Sequence, residues 1–309
     1  MRANENIQML KILAIYAVGL LVGAVSGFLP LFSLVAGYPI LLVRQRMGLP
    51  QARIMALATL VITWIILDPL SFVLVGLGLA IGYSLLEWRS PDRGLGGAYK
   101  FGLFGGTVWL ALSNFSALLM EERNLLSIIN DVITKSFSLM YESMASLEIY
   151  SPEQLEFLQE FQEQAVPLFS NNWPIMAFVF ICLGTTACLL LLARYEPAVA
   201  LGLAKWRDAR APGWLAVATF VANGLQRFSP ATMPWLVHNL LGIGNFVLLL
   251  SGYALVFFYM RHLRFSRMMG ILFTVYLFLS PWLRPVLILV GLFDALFDYR
   301  YYARTKKSS

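Results

Sequence analysis

Charge is scarce in this chain: only 13% of its 309 residues are Asp, Glu, Lys or Arg, about half the share found in ordinary soluble domains. A water-soluble fold of this length would not have the polar surface to cover itself. Cysteine and histidine are rarer still, at two each. Cys182 and Cys188 are six apart in one apolar run, which puts them on different helix faces and fits neither metal nor redox spacing, so both read as packing residues. His238 and His262 stand too far apart to begin a metal site. The phosphate-binding glycine–lysine loop, HExxH, CxxC and GxSxG are all missing, so the sequence predicts no enzyme, no cofactor and no metal centre. The basic pI of about 9.4 does not call for nucleic acid, because a lysine and arginine bias toward cytoplasmic loops accounts for it.

Apolar residues fill the chain instead: 59% of it is hydrophobic and its mean hydropathy is +0.71. Trp235–Met260 runs for 26 residues and Trp173–Ala193 for 21 without an Asp, Glu, Lys or Arg. At about 1.5 Å per helical residue, either can cross a hydrocarbon core of about 30 Å. Backbone amides find no water in lipid, so spanning segments must be helices or closed barrels, and runs without period-2 alternation choose helices. The expected fold is therefore an all-α transmembrane bundle of about eight to ten segments, some short or re-entrant, with a helical insertion outside the membrane.

The candidate segments are 12–29, 31–43, 53–67, 69–86, 99–120, 173–194, 213–229, 235–260, 268–280 and 283–297. Ile12–Leu29 follows Lys11 and has the look of a signal peptide, but the many later spans favour a retained first helix. Short pieces such as Leu31–Val43, and the two runs separated by Ser280–Pro285, suit half-helices or re-entrant turns. Basic residues recur at Arg44/Arg46/Arg53, Arg89/Arg93/Lys100, Arg194/Lys205/Arg207/Arg210, Arg261/Arg264/Arg267 and in the tail Arg300/Arg304/Lys306/Lys307. Their alternation predicts a bacterial inner-membrane protein with a cytoplasmic C-terminus. The side of the N-terminus depends on whether Leu31–Val43 crosses.

Residues 121–172 differ from their surroundings, with nine acidic residues against Arg123 and Lys135. Leu125, Ile129, Ile133, Phe137, Met140, Met144 and Leu147 keep amphipathic helical spacing. Ser151-Pro152-Glu153-Gln154 then opens a second helix with an N-cap, a first-turn proline and a capping-box glutamine. The predicted organisation is N-terminal membrane helices over 1–120, an acidic extracytoplasmic cap over 121–172, C-terminal membrane helices over 173–299 and a basic tail over 300–309.

Small residues one turn apart let lipid-embedded helices approach closely. Gly19/Gly23/Gly27, Gly78/Gly82 and Gly102/Gly106 fit that pattern, the first triplet either within the bundle or against a partner helix. Polar groups inside a membrane are costly and so are candidates for a site. Asn223 and Arg227 share a helix face, followed by His238, Asn239 and Asn245, a set able to hold a polar or anionic ligand; Tyr38, Asn114 and Arg284 are further candidates. The competing reading has Arg227 snorkelling to water and His238–Asn239 satisfying a helix end. Asp294, Asp298 and Arg300 form a charge cluster at the expected cytoplasmic end. Such a cluster could relay protons, bind a cation or act on a lipid phosphate, but a membrane-edge position with ready solvation favours a structural or docking role.

Gly37-Tyr38-Pro39-Ile40-Leu41-Leu42-Val43-Arg44-Gln45-Arg46-Met47-Gly48 after the first helix, and Gly291–Arg300 ending in Phe297-Asp298-Tyr299-Arg300, resemble the YybS-like family of bacterial membrane proteins. The order of segments and the acidic insertion extend the resemblance over most of the chain. That family is similar to the substrate-binding subunits of energy-coupling-factor transporters. The resemblance implies a micronutrient-type transport subunit that works with a transmembrane coupling subunit and ATPases, with Gly19, Gly23 and Gly27 facing the former. The extra cap, and glycine where that family often has alanine, are departures from the pattern. The alternative is a non-transporting scaffold or regulatory protein, possible also as a homo-oligomer, that docks others through its glycine stripe, acidic cap or basic tail.

Overall fold

Lipid offers the backbone no hydrogen-bond partners, and the apolar runs answer by closing their bonds internally as helices. The computed structural model describes residues 33–66, 69–88, 94–146, 151–204, 209–228, 235–263 and 265–301, and every regular element among them is helical. Segment 12–29 with Gly19, Gly23 and Gly27, the tail beyond 301 and the side chain of Arg227 lie outside the described residues. Three helices are long and apolar enough to cross a membrane, and three shorter apolar ones accompany them among the described residues. The chain forms two compact units, one ending at Leu203 and one beginning at Ala204.

In the first unit, α1 (Tyr38–Met47), α2 (Leu49–Ile66), α3 (Pro69–Trp88), α4 (Gly94–Glu121), α5 (Leu125–Ser146), α6 (Pro152–Leu192) and α7 (Pro197–Ala204) follow one another. The predicted segment 31–43 is broken: a turn at Ala36–Gly37 separates residues 33–35 from α1. Gly37 sits against the backbone of Gly78 and Gly82, where a methyl group would collide with both. The GxxxG pair of α3 therefore seats this turn. Gly48 closes α1 with φ 97°, a left-handed conformation that glycine adopts without strain. Gly102 and Gly106 on α4 receive Thr185 and Ile181 of α6. The main core gathers Ile40, Met55, Ile81, Leu86, Cys188 and Leu189 from α1, α2, α3 and α6.

The acidic insertion is a helical hairpin of α5 with the first half of α6. Its capping box forms as the sequence predicts: Gln154 N–H donates to Ser151 Oγ at 3.3 Å, and Ser151 N–H to Gln154 Oε1 at 3.0 Å. Val73, Leu125 and Ile129 bury its base, while Asn130 bridges to Ser170 at 2.6 Å and Phe137 meets Phe161 at 5.7 Å. The second helix does not stop at residue 172. It continues through Pro167 and Pro174 into the apolar run as one helix of 41 residues, about 60 Å long. Each proline withholds a single donor and the bundle tolerates the loss.

The second unit holds α8 (Gly213–Phe228), α9 (Trp235–His262), α10 (Arg267–Leu279) and α11 (Leu283–Phe297). α9 and α11 cross in backbone contact: a methyl on Gly252 would meet the Leu287 carbonyl, and one on Gly291 the Leu248 carbonyl. Ser280–Trp282 turns the chain between α10 and α11, as the proline pair implies. Ser266 caps α10 by accepting from Met269 N–H at 3.3 Å.

Candidate functional site

α3 packs between α2 and α4, and its small residues Gly76, Ala80 and Ser84 recur every fourth position on one face. With so little side chain over α3, the two flanking helices enclose a cleft of about 720 Å³ in the first unit. α2 supplies one wall with Ile54, Leu57 and Leu60, and α4 the other with Phe101, Phe104, Val108 and Leu112. Trp109 closes over Gly76 and donates its indole N–H to the Val73 carbonyl at 2.9 Å, which fixes the ring as part of the floor. Ser84 Oγ rests against Gly105.

The lining is apolar except at one end. Arg53 lies near the start of α2, and Tyr83 and Ser84 near the end of α3. Short connections make these helices antiparallel neighbours, so all three belong to the end where α1 carries Arg44 and Arg46. Clefts of roughly 300–1,000 Å³ with apolar walls and a few polar groups are the usual form of a small-molecule site. Among the described residues, no carboxylate, histidine or cysteine lines this one.

A second polar constellation lies in the second unit and ties charges into the fold. Arg300 Nη2 is 2.9 Å from Asp294 Oδ2, with both side chains buried. Arg300 also donates to the Ala209 carbonyl at 2.8 Å and the Ser251 carbonyl at 3.4 Å. Arg210 pairs with Asp298 at 2.7 Å and donates to the Ala295 carbonyl at 2.8 Å. Asp298 takes a left-handed conformation at the end of α11, φ 47°, and turns the chain back so that Arg300 reaches Asp294. The ready solvation expected at a membrane edge fails for Asp294, which is 0% exposed. It shares the packed face of Leu287, Gly291 and Ala295, and that face meets α9.

The remaining candidates are occupied by the protein itself. Asn223 and Asn245 pair their amides between α8 and α9 at 3.0 and 3.4 Å, beside Thr219 seated on Gly244. Asn239, in the first turn of α9, donates to the Trp235 carbonyl at 3.0 Å; His238 precedes it there. Asn114 accepts from Leu125 N–H at 2.9 Å and so caps α5, while Tyr38 bonds Tyr195 beyond the end of α6. Tyr38 and Asn114 therefore serve separate neighbours, and Arg284 is exposed at the start of α11. Sequence reading missed the cleft and Arg210. The Gly76–Ala80–Ser84 spacing was the available signal for the first; the second stood out only as one of several basic loop residues, with nothing to single out Asp298 as its partner.

No curated protein and no solved structure matches the chain. A family model does, over residues 14–295, which takes in α1 to α10 and α11 as far as Ala295. An all-α, membrane-embedded chain matched over most of its length in this way belongs to the family described as "Predicted membrane protein (DUF2232)".

Proposed function

We propose that this protein is a ligand-binding membrane subunit of transporter-like type, which takes a hydrophobic small molecule into the α2–α3–α4 cleft and passes it on with separate partners. The cleft carries this reading: it is large enough for a ligand, the Trp109 ring seated on Gly76 forms part of its floor, and its walls are apolar. The polar residues at the α8–α9 seam support it less, because Asn223 and Asn245 satisfy one another. With no nucleotide-binding motif in the sequence, a coupling subunit and ATPases would have to supply energy. In this reading the arginine-bearing end of the cleft faces the cytoplasm of a bacterial cell, as the distribution of basic residues implies.

The test is purification in native nanodiscs followed by mass spectrometry of retained small molecules and proteins. A reproducible ligand, lost in the cleft-filling variant Leu57→Trp, supports the proposal. Its absence, with protein partners still bound, favours a scaffold. One observation favours that second reading: Leu139, Phe157 and Phe161 are exposed on the acidic α5–α6 hairpin, a surface suited to a basic, amphipathic partner segment.

A further inference from the structure

We infer that the outward stripe of α6 formed by Phe157, Phe161 and Leu168 is the docking face for a basic amphipathic helix of a partner protein, whatever the cleft binds. Spacing sets this stripe apart from the hairpin's own core. Leu158 is buried and Leu155, Gln162 and Ala165 are half-buried, so one side of the helix is taken up by the fold. Phe157, Phe161, Gln164 and Leu168 recur at intervals of four, three and four, which aligns them along a different side. The three apolar members are 68%, 50% and 60% exposed.

Lipid does not cover the upper part of the stripe. The apolar run of α6 begins at Trp173, and its 21 residues to Ala193 match a hydrocarbon core of about 30 Å. Phe161 and Phe157 come twelve and sixteen residues before that start, about 18 and 24 Å further along the helix. A headgroup layer is only about 5–8 Å deep, so both rings stand in water. They are ordered nonetheless: Phe157 stacks on Phe161 at 6.4 Å, and Phe137 of α5 meets Phe161 edge-on at 5.7 Å. Aromatic rings held in place and open to water have the form of anchors for a protein contact.

Charge selects the partner. Glu153 and Glu160, seven apart, run along one edge of the stripe, with Glu156 and Glu163 one row further round, and all four are exposed. Residues 151–172 contain no Lys, Arg or His. Glutamates three and four apart on a helix repel one another, and a facing row of lysine or arginine relieves that repulsion. A second copy of this chain would bring the same acidic row and add to it. The fitting occupant therefore carries apolar residues at three–four spacing with cations along one edge. Phe157 to Leu168 measures about 16 Å, so about three turns of partner helix cover the stripe.

The full chain in phosphatidylcholine nanodiscs, titrated with fluorescent helical peptides about 14 residues long, or four turns, tests this against empty nanodiscs. The two peptides share leucines at three–four spacing and differ in an edge of lysine or of glutamate. The expected result is saturable binding of the lysine peptide alone, weakened about fivefold in Glu153→Gln/Glu160→Gln, the effect of two exposed ion pairs. Phe157→Ser, at an exposed side chain that the fold does not need, should weaken it about tenfold by removing an aromatic anchor. Glu121→Gln, at the foot of the hairpin, should leave it unchanged. Binding no greater than to empty nanodiscs, equal binding of both peptides, or binding unmoved by Phe157→Ser overturns the inference. Photoreactive benzoylphenylalanine in place of Phe157 separates the other occupants: an adduct with the lysine peptide supports the inference, and adducts with lipid or a second copy alone overturn it.

Discussion

Arg300 lies two residues beyond the left-handed Asp298 and places its Nη2 2.9 Å from Oδ2 of Asp294, with side-chain exposures of only 4% and 0%. Two opposite charges so enclosed hold each other and, through the Ala209 and Ser251 carbonyls, fasten the strand of chain before α8 to α9 and α11. Removing one partner leaves the other buried without its counter-charge.

Asp294→Ala or Arg300→Met alone should therefore lower stability by about 3–5 kcal/mol, whereas the double change Asp294→Leu/Arg300→Met should recover much of it, because desolvating the pair offsets most of its attraction. Thermal unfolding in detergent, followed by tryptophan fluorescence, reads the difference. Additive single and double effects would count against a mutual pair.

The ion pair of Arg123 with Asp131 is shorter, 2.6 Å, but about half exposed on each side. Water screens it, and Arg123→Ala should change stability by less than about 1 kcal/mol. The same unfolding assay, run at low and high salt, should show the small effect vanish with salt.

Glycines of one composition should separate by position. Gly291→Ala pushes a methyl into the Leu248 carbonyl and should cost about 1–3 kcal/mol by overpacking. Gly224 has nothing within 4 Å, so Gly224→Ala should be neutral or stabilising by up to about 1 kcal/mol. A comparison of unfolding midpoints distinguishes the two; equal costs would place the α9–α11 crossing elsewhere.

Asn223 and Asn245 exchange hydrogen bonds between α8 and α9. Interhelical bonds of this kind in membranes contribute about 0.6 kcal/mol on average. A double-mutant cycle with Asn223→Leu and Asn245→Leu should return a coupling of about 0.5–1.5 kcal/mol, and the double variant should stay folded. A coupling near zero would free both amides for a ligand after all.

The helices follow the apolar runs closely, since a run without charge leaves a chain in lipid little choice. The capping box at Ser151 was legible because it depends on four consecutive residues. The continuity of α6 was not: Pro167, Pro174 and the change of composition near Trp173 all mimic a boundary, and only packing against α5 and α4 carries the helix through. Asp294 could have been placed inside from the spacing of Leu287, Gly291, Asp294 and Ala295 along one face. Its partner Arg300 could not, because the return depends on one left-handed residue. The cleft depends on α3 lying between α2 and α4, an order in space that linear spacing does not carry. For the same reason Tyr38 and Asn114, similar as polar residues in apolar segments, turned out to serve different ends of the first unit.

Because α6 is unbroken from Pro152 to Leu192, the acidic hairpin and the buried contacts of Thr185 and Ile181 with α4 belong to one rod. A push or twist delivered at the tip near Ser151 arrives at the α4 seam without a joint to absorb it, apart from the compliance of two prolines. The hairpin is thus a handle on the bundle, and whatever grips it acts mechanically on the helix that forms one wall of the cleft.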